Sequence, residues 1–77
     1  MVSAYILIQT EVGQADTVAK DVAGIKGVGL AEAVAGPYDV IAQADASSLD
    51  MLARLVVRQI QDVAGVTRTL TCSVVHL

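Results

Sequence analysis

Residues Ser3 to Thr10 read Ser-Ala-Tyr-Ile-Leu-Ile-Gln-Thr, a β-branched and aromatic run that predicts a strand. Its alternation puts Ala4, Ile6 and Ile8 on one face and Tyr5 and Leu7 on the other, so both faces are apolar. A strand with one face in water alternates apolar with polar residues, whereas this one needs cover on both sides. A chain of 77 residues has little cover to give, because a domain of about 60 residues buries only about 60% of its unfolded surface. The composition sharpens the conflict: 55% of residues are hydrophobic and 17% are charged, against about 25% charged in an ordinary soluble domain. The surplus predicts burial between subunits.

Other destinations for that surplus fail. Gln9, Glu11, Lys20, Asp21, Glu32 and Asp39 interrupt the apolar stretches well short of the roughly 20 residues a membrane span requires. Met1-Val-Ser-Ala offers no basic region ahead of a secretory signal. Cys72 is the single cysteine, so neither an internal disulfide nor a multi-thiolate metal site can form. The expectation is a cytoplasmic protein without metal or cofactor. The net charge is −3, and Lys20, Lys26, Arg54, Arg58 and Arg68 are scattered, which argues against direct nucleic-acid binding, where basic groups must neutralise phosphates.

After the first strand, Ala15, Val18, Ala19 and Val22 recur at helical spacing, predicting a helix over residues 13–24 that Gly24 stops in a left-handed conformation. A strand is expected over 28–35, a turn at Gly36-Pro37-Tyr38-Asp39, and a partnered strand over 40–44. Ser47 and Ser48 open a second helix, Ser47-x-x-Asp50 resembling a capping box. Its stripe is Leu49, Leu52, Val56, Ile60 and Val63; Gly65 ends it, and a last strand is expected over 66–76. Asp21-Val-Ala-Gly24 near the end of the first helix is echoed by Asp62-Val-Ala-Gly65 near the end of the second. The βαββαβ order predicts an α+β, ferredoxin-like sandwich: a four-stranded antiparallel sheet with two helices on one face. Its other face is left bare, and that face is apolar, so topology and composition agree on an oligomer.

The order Val34-Ala-Gly36, Tyr38-Asp39, Val40-Ile41, the helix from Leu49 to Ile60, Gly65-Val66 and Thr69-Leu-Thr71 resembles the ligand-binding domain of the Lrp/AsnC transcription regulators, the RAM domain (regulation of amino acid metabolism). The likeness spans nearly the whole chain. It implies a small-molecule sensor that takes an amino acid in a cleft between subunits. Domains of this kind pair through their sheets into dimers, with tetramers or octameric rings as further assembly. Carried over by position, the ligand-binding residues are Gly36, Tyr38, Asp39, Thr69 and Thr71. An Asp39 carboxylate suits an ammonium, and backbone N–H groups and threonine hydroxyls suit a carboxylate. The resemblance also implies a departure. Full-length regulators carry a helix-turn-helix domain ahead of the sensor, whereas here Met1 runs almost directly into the first strand, so the expectation for residues 1–77 is a single RAM domain acting alone or co-assembled with a full-length relative.

Each residue also has a plainer role. Gly-Pro-Tyr-Asp is a good turn sequence in its own right, and alternating Thr67, Thr69 and Thr71 suit any solvated strand face. His76 is near the terminus, Cys72 is a small strand residue, and Glu32 interrupts an apolar strand. Three rival functions share the topology. A dimeric α+β-barrel enzyme of monooxygenase or isomerase type needs an acid or base in a cavity beneath the helices. An ACT-like domain binds ligand after its first strand, and a ligand-free assembly module needs no site. No nucleophile–base pair, metal cluster or phosphate loop points to catalysis, and the chain is expected not to be an enzyme.

Overall fold

The computed structural model describes residues 1–76, the side chain of Leu55 excepted. Its elements are β1 (Val2–Thr10), α1 (Ala15–Ala23), β2 (Val28–Ala33), β3 (Val40–Ala46), α2 (residues 49–61) and β4 (Val66–Ser73). The strands form one antiparallel sheet in the order β2-β3-β1-β4. This is the ferredoxin-like α+β sandwich expected from the sequence, with each βαβ unit split by a strand of the other.

The alternation of β1 divides the molecule. Ala4, Ile6 and Ile8 are fully buried with Val40, Ala42 and Ala44 of β3, under Val18, Ala19 and Val22 of α1 and Leu52, Val56 and Ile60 of α2. Both helices therefore cover one face, burying large aliphatic side chains worth about 1.5–3 kcal/mol each. The opposite face carries Tyr5, Leu7, Leu30, Ile41 and Leu70, brought side by side by the register Leu7↔Ile41, Leu7↔Leu70 and Leu30↔Gln43↔Tyr5. Tyr5, Leu30 and Leu70 are each about half exposed within one chain (46%, 48% and 45%).

Several boundaries differ from the sequence expectations. β2 stops at Ala33, β3 continues to Ala46 and β4 ends at Ser73. Helix α2 opens on Ser48, not Ser47: the extended Ser48 accepts the Met51 N–H through its side chain at 3.1 Å. Within α2, residues Leu52–Val57 are wound as a π-helix, where the Arg58 N–H reaches back to the Ala53 carbonyl. The wider turn accompanies the continuous stripe Leu52, Val56, Ile60, whose spacing gave no sign of it.

The internal echo is real in structure but displaced in sequence. Gly24 caps α1 in right-handed conformation (φ −79°), and the left-handed residue is Gly27 (φ +99°). The counterpart of Gly27 is Gly65 (φ +95°), so Gly24 corresponds to Asp62, the cap of α2. Matched hydrogen bonds fix this register: Ile25 N–H to Val22 and Val28 N–H to Ile25 in one half, Val63 N–H to Ile60 and Val66 N–H to Val63 in the other. Each glycine of this matched pair lies against the other half. A methyl group on Gly27 would stand 3.1 Å from Val56 Cγ2 of α2, and one on Gly65 would stand 3.1 Å from Val18 Cγ2 of α1. The carbonyl of Gly27 accepts the Asp45 N–H, and that of Gly65 accepts the Glu11 N–H.

Candidate functional site

The segment joining the halves, residues 34–39, closes back on itself and on β1. Val34 N–H donates to the Asp39 carbonyl at 2.9 Å, and Asp39 N–H donates to the Ile8 carbonyl at 2.9 Å. The Asp39 carboxylate accepts the Thr10 N–H at 2.8 Å, satisfying a donor where the β1–β4 register shifts between Gln9 and Thr10. Gln9 Nε2 adds a tether to the Pro37 carbonyl at 3.3 Å. Four bonds thus hold a loop whose sequence, with Pro37 presetting its φ, was already inclined to turn.

Held there, the loop rims an apolar cup of about 230 Å³ on the open face of the sheet, with Leu7 and Ile41 as floor and Val34, Gly36 and Tyr38 among its walls. Gly36 and Tyr38 therefore share a site, and Asp39 adjoins it. Nothing in the chain itself demands a glycine at 36: its φ is not positive, and no atom lies within 4 Å of where a side chain would begin. The missing side chain leaves the rim of the cup open.

Thr69 and Thr71 lie elsewhere. They pair with Ile8 and Ile6, which puts them on the helix side of the sheet. Thr69 Oγ1 accepts a bond from Gln61 Nε2 at 3.1 Å, tying β4 to the end of α2, and Thr69 lines a separate depression with Gln61, Val66, Thr67 and Arg68. Within one chain, then, the structure gathers Gly36, Tyr38 and Asp39 and leaves both threonines on the reverse face. Leu7 and Ile41 also line the cup, although neither is among the ligand-binding residues carried over by position, and Gln9 tethers its rim. The signal for Leu7 was present in the alternation of β1, but the folding of the 34–39 loop over it was not.

A third hollow, of about 330 Å³, lies between the α1–β2 turn and the start of α2, lined by Lys26, Asp45, Met51, Val56 and Gln59 among others. Asp45 there is engaged by the Ser3 hydroxyl across the strand pair. Glu32 is exposed on the open sheet face rather than beneath the helices. Among the described residues no group of three or more His, Cys, Asp or Glu side chains gathers as metal ligands do, and no helix is long and apolar enough to cross a membrane.

Comparison with known proteins places this geometry. The model of the Lrp/AsnC ligand-binding domain matches residues 3–76. No curated protein matches the sequence. Among solved structures, TTHA0845 from Thermus thermophilus superposes with a TM-score of 0.90 at 26% identity, over 100% of this chain and 96% of the other. The hypothetical protein PHS023 from Pyrococcus horikoshii gives 0.88 at 26% identity, over 100% and 93%. The transcriptional regulator NMB0573 from Neisseria meningitidis, solved as an L-Met complex, gives 0.82 at 19% identity, over 97% of this chain and 50% of the other, a likeness of fold.

Proposed function

The chain belongs to the family of Lrp/AsnC ligand-binding domains, which are effector-binding regulatory domains, and from that premise we propose that it senses an apolar amino acid at the cup beneath the 34–39 loop while paired with a second copy across the open sheet face. The observation that carries the reading is the cup itself, with an apolar floor of Leu7 and Ile41 and an unfilled rim at Gly36, in a loop that ends at Asp39, whose carboxylate accepts the Thr10 N–H. An aliphatic or thioether side chain suits the floor, and its ammonium suits Asp39. The fold's occurrence in a regulator solved with L-Met makes methionine the first probe.

In this reading the chain is not an enzyme, and binding is read out as assembly. A ligand that contacts one assembly better than another shifts the population by that difference in affinity. Thr69 and Thr71 are on the helix side of the sheet, turned away from the cup and from a sheet-paired copy, so in this reading they contribute only across a further contact in a larger assembly. Tetramers, octameric rings or co-assembly with a full-length regulator are the states such a ligand would select between, and the setting is cytoplasmic.

The test measures molecular mass and thermal midpoint with and without a panel of amino acids led by methionine. Asp39→Asn is the informative variant, because its amide oxygen still accepts the Thr10 N–H while the charge is gone. The parent is expected to change assembly or gain thermal stability with an apolar amino acid, and Asp39→Asn to lose the response yet keep its fold. A parent indifferent to the whole panel refutes the sensor, and an unimpaired Asp39→Asn refutes the role of the carboxylate.

A further inference from the structure

The open sheet face is ringed unevenly by charge. Glu32 lies on β2, in the row Glu32↔Ile41↔Leu7↔Leu70, and Arg68 lies on β4, opposite Gln9. These strands are the two outer edges of the sheet, so one edge is acidic and the other basic. Both residues are exposed. Among the described residues the ion pair is Arg54–Asp50 on the outside of α2, and Glu32 and Arg68 pair with no charged group among them. Two other carboxylates near this face are already engaged: Asp45, on the inner strand β3, by the Ser3 hydroxyl, and Asp39 by the Thr10 N–H.

We propose that Glu32 of each copy pairs with Arg68 of the other, and that this pair sets the orientation in which two sheets meet. The inference rests on the face-to-face pairing proposed above. Two identical sheets related by a two-fold axis between them have two simple arrangements. An axis across the strands lays β2 over β2 and β4 over β4, gathering two acids at one edge and two bases at the other. An axis along the strands lays β2 over the partner's β4 at both edges, so each Glu32 faces an arginine. Packed sheets stand about 10 Å apart, and the two residues are offset by about 7 Å along the strand. Two long side chains close that gap together. The attraction at such a rim is small, whereas juxtaposed like charges are strongly disfavoured, so the charges act chiefly by rejecting the first arrangement.

Charge reversal tests this on the full chain. Glu32→Arg and Arg68→Glu are each expected to weaken the dimer about tenfold or more, and the double variant to return to within about threefold of the parent, as a directly coupled pair requires. Sedimentation equilibrium gives the constants, and 1 M salt should shrink the single-variant defects. Because both side chains are exposed, far-UV circular dichroism should be unchanged throughout. A parent that dimerises while the double variant stays as weak as the singles overturns the ion pair and leaves the dimer standing. A parent that is monomeric at every concentration overturns both and assigns the face to a different occupant.

Discussion

The displaced echo makes two glycines with the same sequence surroundings respond oppositely to alanine. Gly65 has φ +95°, and a methyl group there would stand 3.1 Å from Val18 Cγ2 and 3.3 Å from Gln14 Cβ. Left-handed backbone costs an L-residue about 1–2 kcal/mol, and crowding a packed contact adds about 1–3 kcal/mol. The expected loss for Gly65→Ala is about 2–5 kcal/mol, which at about 4–8 °C per kcal/mol for a domain of this size is a fall of roughly 10–40 °C. Gly24 has φ −79°, and its nearest neighbour would be the Asp21 carbonyl oxygen at 3.5 Å, an ordinary contact. Gly24→Ala is expected to gain about 0.4–1 kcal/mol by restricting the unfolded chain. The assay is thermal unfolding followed by circular dichroism at one fixed protein concentration, since assembly itself moves the midpoint. Equal losses at the two positions, or a larger loss at Gly24, would refute the assignment of Gly27 and Gly65 as the matched pair.

Two further variants check the helices. Ser48→Ala removes the acceptor for the Met51 N–H and should cost about 1 kcal/mol, whereas Ser47→Ala should change the urea midpoint little. Ile60→Ala empties a fully buried position between α2 and the sheet; the expected 2–5 kcal/mol loss is about as large as the roughly 3–5 kcal/mol such a small core supplies, so cooperative unfolding should vanish, and a parent-like transition would contradict the packing.

Periodicity made the layers readable. The alternation of Ala4, Ile6 and Ile8 against Tyr5 and Leu7 marked the covered and open faces of the sheet, and the spacing of Val18, Ala19 and Val22 marked the covered side of α1. These signals repeat over several residues and reflect burial. Features set by one residue's geometry were not readable. Gly24 and Gly27 are both plausible helix stops, and only the hydrogen bonding around Ile25 shows which one turns left-handed. Ser47 and Ser48 are equally good caps by type, and the choice depends on which is extended. The site residues divide in the same way. Gly36-Pro37-Tyr38-Asp39 marked a turn, but the Asp39 carboxylate bonds to Thr10, far along the chain, a contact no local pattern encodes. Thr69 and Thr71 were rightly placed on one face of a strand; which face required the pairing with Ile8 and Ile6.

The exchange of glycine contacts between the two βαβ units makes them mutual templates. Gly27 closes against α2, and Gly65 closes against α1, so a chain severed at residues 34–39 would yield two fragments that each lack the wall against which their own reverse turn is moulded. That severing point is also the strap over the cup. In the proposed reading, a ligand in the cup would touch the segment that joins the two halves.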